Sequence, residues 1–193
     1  MHAFALVIPD QRHLAGFRAA LEAGWSPDNL RGNAAAEEIL ARIATDPQAF
    51  LAALSREVTS GETVALPDGS RVPRLPNRTR WIWSDGFAGQ ISIRWQPGTD
   101  ALPPTCLGHV GYGVVPWRRG RGLATRALAE ILIHAADVGL RELEITCDAD
   151  NAASRKVIER NGARFVEAFR APPALGGHET LRFRIRVAEQ TSR

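Results

Sequence analysis

The segment Gly108–Phe165, GHVGYGVVPWRRGRGLATRALAEILIHAADVGLRELEITCDADNAASRKVIERNGARF, decides how the chain is read. At its centre Arg119-Gly120-Arg121-Gly122-Leu123-Ala124 lies between an apolar strand and a helical pattern whose buried face is Ala124, Ala127, Leu128, Ile131, Ala135 and Val138. Glycines let the backbone approach a ligand closely, the first N–H groups of a helix have no intrahelical partner, and the helix dipole favours negative charge there. A pyrophosphate meets these requirements. Arg118, Arg119 and Arg121 offer charge-assisted donors to its oxygens. A tight strand-to-helix turn with solvated arginines is the plainer reading of the same letters. Two other nucleotide motifs fail: the bend has no lysine for a Walker A loop, and Thr125 stands where the dinucleotide fingerprint needs its third glycine.

Outward from this bend, the pattern alternates strand and helix. His109 to Val115, Glu142 to Cys147, Arg164 to Phe169 and Thr180 to Val187 read as strands; Arg121 to Val138 and Ala152 to Arg160 read as helices. Strand, helix, strand in this order implies a parallel pair joined by a right-handed crossover. Upstream, Ala3 to Ile8 is a short apolar strand, and Asp10 stands as the N-cap of a helix carrying Leu14, Phe17 and Leu21. Ala34 to Leu54 is helical, broken at Asp46-Pro47. Val64 to Arg94 carries hairpin turns at Pro67-Asp68-Gly69 and Asp85-Gly86. Trp81, Trp83, Ile91, Ile93 and Trp95 alternate as in a half-buried antiparallel sheet. Without repeat or linker, residues 1–193 are expected to form one mixed α/β domain.

Composition bounds the function. The chain has 193 residues, 45% hydrophobic and 23% charged, enough for a real core. No window approaches the roughly 20 apolar residues of a membrane-spanning helix, and Met1 to Pro9 lacks a basic leader, so a cytoplasmic protein is expected. The net charge of +3 is carried by arginine with the single lysine Lys156, and 21 carboxylates offset 24 cations, which disfavours a general nucleic-acid binder. Cys106 and Cys147 lack the spacing of a disulfide framework or zinc site, and no metal is expected.

The pattern R-x-x-G-x-A at Arg119 to Ala124, preceded by Val-Pro and followed by Asn151-x-x-Ser154 and then Asn161-Gly162-Ala163-x-Phe165, resembles the GNAT superfamily of acetyl-CoA-dependent N-acetyltransferases. Within it the chain looks most like the RimJ/RimL-type, ribosomal-protein alanine acetyltransferase-like branch, over Gly108 to Phe169. The resemblance implies an α+β fold with a mostly antiparallel central sheet, a parallel splayed pair and flanking helices. It also implies an acetyl-CoA-binding core over 108–169. The strand Tyr112 to Val115 would splay from its neighbour and pair with the pantetheine arm, making Val114 and Val115 backbone ligands. Arg119, Gly120, Arg121, Gly122, Ala124 and Thr125 would hold the pyrophosphate, with Asn151 and Ser154 facing pantetheine and thioester. Asn151 also suits a plain N-cap with Ser154 at N3.

Transfer of an acetyl group from a thioester to an amine needs a deprotonated nucleophile, donors to the oxyanion and a proton for the thiolate. His109 stands two residues before Gly111-Tyr112, where the resembled branch often has a glutamate, and an imidazole of pKa about 6.5 can act as the base. A satisfied core histidine is its plainer reading, and Asp148 is a second candidate. The family's tyrosine acid is absent, Ile158 standing at its position, so Ser154 or a water it holds is the expected proton source. Tyr112, the one tyrosine, reads as a coenzyme contact or as packing, and Trp25 as an acceptor contact or a hydrophobic staple. Cys147 reads as core, so direct transfer is expected. The acceptor is a small-molecule or peptide amine. A binding-only acyl-CoA module and a weak nucleic-acid or ribosome-associated binder using Arg118 to Arg126 are the rival readings. Two copies could pair through the alternating strand Arg182 to Val187.

Overall fold

The computed structural model describes residues 3–57, 61–66 and 68–187. Asp10 caps the first helix by accepting the His13 N–H at 3.1 Å, and Asp46 caps the third in the same way through Ala49 at 2.9 Å. The elements run β1 (Phe4–Val7), α1 (Gln11–Glu22), α2 (Gly32–Thr45), α3 (Pro47–Ala53), β2 (Thr63–Ala65), β3 (Arg71–Pro73), β4 (Asn77–Ser84) and β5 (Phe87–Arg94). They continue with β6 (Val110–Val114), α4 (Leu123–Asp137), β7 (Glu142–Asp148), α5 (Ala152–Arg160), β8 (Arg164–Arg170) and β9 (Glu179–Arg186). Asp85 and Gly86 both take positive φ in the β4–β5 turn, as expected there. In the turn between β2 and β3, Pro67 lies outside the described residues.

Three antiparallel sheets result: β1-β4-β5-β6, the β2–β3 hairpin, and β7-β9-β8. The four-stranded sheet is not half-buried as its alternation implied. Phe17, Trp25, Trp81 and Phe87 pack on one face with α1–α3, while Ile82, Ile91 and Ile93 pack on the other with Ala127, Leu128 and Ile131 of α4. Each face has its own apolar set, so β4 buries both Trp81 and Ile82 completely. Of the five tryptophans, Trp117 departs from the core and is 49% exposed.

β6 and β7 run the same way and separate. His109 N–H donates to Glu144 O at 2.7 Å where they start, and no ladder joins them beyond that among the described residues. At the other end, the side chain of Tyr112 reaches Ser154, beyond the end of β7. A wedge-shaped gap therefore opens between the two sheets, with α4 and α5 beside it. Among the described residues, no helix is long and apolar enough to cross a membrane.

Candidate active site

The bend at the entry to α4 leaves a run of backbone donors unused. Gly120 (φ 75°) and Gly122 (φ 72°) take the left-handed conformation that side-chain-bearing residues adopt only with strain. A Cβ at either would meet no protein atom within 4 Å, so both are required by backbone angle and face open space. The first bond into the helix runs from Arg126 N–H to Gly122 O at 3.1 Å. The N–H groups from Gly120 to Thr125 have no acceptor among the described residues, and Ala124 and Thr125 lie in the first turn of α4. Arg121 is exposed beside them. Arg119 folds back, its Nε donating to Val114 O at 3.1 Å, which ties the bend to the end of β6.

Register decides which backbone groups of β6 face the gap. β5 bonds to alternate residues, from Arg94 N–H to His109 O (2.8 Å) through to Val115 N–H to Ala88 O (3.0 Å). The N–H and C=O groups of Val110, Tyr112 and Val114 consequently turn the other way, toward β7. Their lack of ladder partners gives the wedge its polar edge. Gly89 makes the close β5–β6 approach feasible, since a Cβ there would run into the Gly113 carbonyl.

Within the wedge, the Tyr112 hydroxyl lies 2.7 Å from Ser154 Oγ and 3.3 Å from Ser154 O. Burial pushes the Tyr112 phenol up to about 12, partly offset by its bond to Ser154, so it is protonated at neutral pH. Asn151 caps α5, accepting the Ser154 N–H at 3.0 Å. Its N-cap role is thus real. Ile158, at the position of the missing tyrosine acid, is completely buried in the core. Its identity reports packing, and the hydroxyl nearest the wedge is supplied by β6 instead. Burial raises the Cys147 thiol, leaving an unreactive neutral group.

Three of the expected residues have their polar groups engaged within the protein. His109 is fully buried; its Nδ1 accepts the Glu144 N–H at 2.9 Å, and its Nε2 is buried without a partner. With one lone pair spent and the proton on the other nitrogen, the ring cannot serve as a base for an acceptor, and desolvation holds its pKa below the ordinary value. It pins β6 to β7 where the wedge closes. Val115 is no backbone ligand, because its N–H is spent on Ala88 O and its carbonyl accepts the Arg118 N–H. Arg118 is no phosphate ligand: it donates to Ser84 O (2.9 Å) and Asp85 O (2.8 Å) in the β4–β5 turn. Arg126 likewise stacks on Phe4, 4.1 Å from the ring centre, so these arginines are struts and not a basic stripe.

Sequence reasoning missed one support. Asn161 donates to Val157 O (2.9 Å) and to Thr125 O (3.2 Å), joining the end of α5 to the first turn of α4. Its signal was present as the Asn-Gly pair, read only as a motif. Trp25 is buried, 5% exposed, packing edge-on against Phe17 and Phe87 while its indole lies over Gly113. A separate groove of about 630 Å³, lined by Leu132, Ile133, Arg164 and Ile185, shares only Asn161 with these residues.

The sequence model of the family described as "Acetyltransferase (GNAT) domain" matches residues 29–164, well over half of the chain. The chain belongs to the GNAT acetyltransferase family. As a GNAT protein it is an acetyl-CoA-dependent N-acetyltransferase. Solved structures with the same fold include RimL, a ribosomal L7/L12 alpha-N-protein acetyltransferase in complex with coenzyme A. It is 17% identical with a TM-score of 0.63, over 97% of this chain and 96% of that one. Microcin C7 self-immunity acetyltransferase MccE, in complex with acetyl-CoA and AMP, is 13% identical with a TM-score of 0.60, over 95% and 92%. The Salmonella typhimurium enzyme that modifies the N-terminal serine of ribosomal protein L7/L12 is 16% identical with a TM-score of 0.60, over 96% and 94%. At these identities the likeness is one of fold. No curated protein matches the chain.

Proposed function

We propose that the wedge between β6 and β7 is the acetyl-transfer site of this enzyme, with the donor's pyrophosphate on the N–H groups of Gly120 to Thr125. Arg119, Arg121 and the α4 dipole supply positive potential there. The observation that carries this reading is the unbroken run of unpartnered N–H groups at the bend. The outward-facing backbone of Tyr112 and Val114 pairs with the pantetheine arm, and Val114 N–H stabilises the developing oxyanion. Asn151, at the head of α5, lies beside the thioester end. Acetyl-CoA supplies an activated carbonyl and a good leaving group. Ser154 delivers a proton to the departing sulfur and takes one from Tyr112, 2.7 Å away, and the proton that the attacking nitrogen sheds as it becomes the amide returns to Tyr112 through water, so the hydroxyl pair ends as it began.

With His109 sealed into the β6–β7 junction, the acceptor's ammonium loses its proton to water before direct attack. The pH–rate profile for kcat/KM should then follow the acceptor's own amine. A plateau set by an imidazole, removed by His109→Gln, would contradict this. We further infer that the acceptor is a small-molecule or peptide primary amine, that residues 1–193 act as one domain, and that the enzyme works in the cytoplasm without a metal. Two free cysteines fit a reducing compartment. Pairing of two copies through β9 is compatible with its alternation.

Calorimetry with acetyl-CoA tests the site. Arg119→Glu and Gly122→Glu should each weaken binding by about tenfold or more, by placing negative charge where the phosphates sit. Unchanged affinity in both would remove the assignment.

A further inference from the structure

On the face of the first sheet opposite the Tyr112 side chain, a row of residues beside the wedge is partly exposed. Register sets Gln90 across from Gly113 and Ser92 across from Gly111. These four and Arg94 are partly exposed, and on β5 Gln90, Ser92 and Arg94 alternate with buried Ile91 and Ile93. The result is a shallow floor between two larger groups. The Trp25 indole stands over Gly113, 3.7 Å from where a Cβ would lie. The Arg94 guanidinium stands over Gly111, where a Cβ would come within 2.9 Å of its Nη2. Arg94 makes one long side-chain contact, 3.5 Å to Ser92 Oγ, and meets no carboxylate among the described residues. Among the other partly shielded arginines, Arg78 meets Glu57 and Arg182 meets Glu167, while Arg80 and Arg118 donate to backbone carbonyls instead; Arg94 has neither kind of partner among the described residues. A partly shielded guanidinium with no anion beside it keeps its donors available to a ligand.

We propose that Arg94 binds an oxyanion carried by the acceptor, so that the substrate is a primary amine with a flat or apolar middle and a carboxylate or phosphate at its far end. The inference rests on the acetyl-transfer reading of the wedge. Position along β6 gives the order: reaction beside Val114, an aromatic wall at Gly113, a guanidinium at Gly111. Three strand residues cover about 10 Å. That separation excludes the α-carboxylate of a free amino acid, where amine and acid share one carbon. Arg94 presents two parallel N–H donors, which suit a carboxylate or phosphate better than a neutral carbonyl.

Two matched pairs of amines test this with the full chain and saturating acetyl-CoA. 4-(Aminomethyl)benzoate and 4-methylbenzylamine differ in the anion alone; C-terminally amidated Gly-Glu and Gly-Gln carry the same contrast on a peptide. In at least one pair kcat/KM should favour the acid by about tenfold or more, and the responding pair identifies a small acid or an acidic peptide as the source. Where turnover is slow, calorimetric affinity for the CoA-saturated enzyme supplies the same ratio. Arg94→Met should bring that ratio within about twofold of one while acetyl-CoA affinity holds, and Arg94→Lys should restore part of it. Equal values within both pairs, or a preference that survives Arg94→Met, overturns the proposal and leaves the transferase site standing. Loss of saturable acetyl-CoA binding by the unmodified protein would strike the transferase site itself.

Discussion

His109 shows how much a single residue's environment settles. Its ring is closed off at the junction of two strands and is neutral in the folded chain. The unfolded chain takes up a proton as the pH falls below the ordinary value of 6.5, whereas the folded chain does so only at lower pH. Stability contributed by the neutral ring is therefore full above about 6.5 and lost progressively between that value and the lower native pKa. Thermal midpoints followed from pH 8 to pH 5 should fall in this window. The fall should shrink in His109→Gln, and an identical slope in the variant would contradict the assignment. Tyr112 offers a cleaner readout because it is the only tyrosine. Its phenolate absorbance should appear only near pH 12, and a midpoint near 10 in the still-folded protein would show that it is not buried against Ser154. Tyr112→Phe should lower kcat by about tenfold with acetyl-CoA affinity nearly unchanged, since one proton-transfer partner is lost. A proportional loss of affinity would make Tyr112 a binding residue only.

Among the elements, α4 and α5 hold the pyrophosphate bend in place, and Asn161 is their joint. Its two donated bonds end on Val157 O and Thr125 O, so Asn161→Ala frees the carbonyl at the first turn of α4. The variant should lose about 1 kcal/mol of stability, measured by urea unfolding, and bind acetyl-CoA a few-fold more weakly. Full retention of both would mean the bend is rigid without it. The elements themselves were legible in the sequence. Positive φ at Gly120, Gly122 and Gly86, the caps at Asp10 and Asp46, and the Asp46-Pro47 break are local effects written in single residues. What a strand pattern does not contain is its lateral neighbour. Alternation put His109 and Val115 on the strand, but only pairing with β5 and β7 shows that their polar groups are already spent. Arg118 was misread for the same reason, its acceptors lying 33 and 34 residues earlier in the chain.

On the scale of the whole molecule, the fold divides the reaction between two sheets. The first, with an apolar cluster on each face, presents the edge of β6; the second swings away from it beyond His109. That separation leaves half of β6's backbone without a ladder partner, a cost that strand edges normally avoid by pairing. Here it is matched by the neighbouring bend, whose N–H groups are equally unused. The two features were legible to different degrees: the bend came from its glycines and arginines, whereas the acceptor face with Trp25 and Arg94 joins residues from three distant segments and carries no motif. Amide chemical-shift mapping during an acetyl-CoA titration tests the central claim most directly. The account predicts saturable shifts concentrated on Gly120, Gly122, Leu123, Ala124 and Val114. Saturable binding that leaves these amides unmoved and shifts another part of the chain would contradict it.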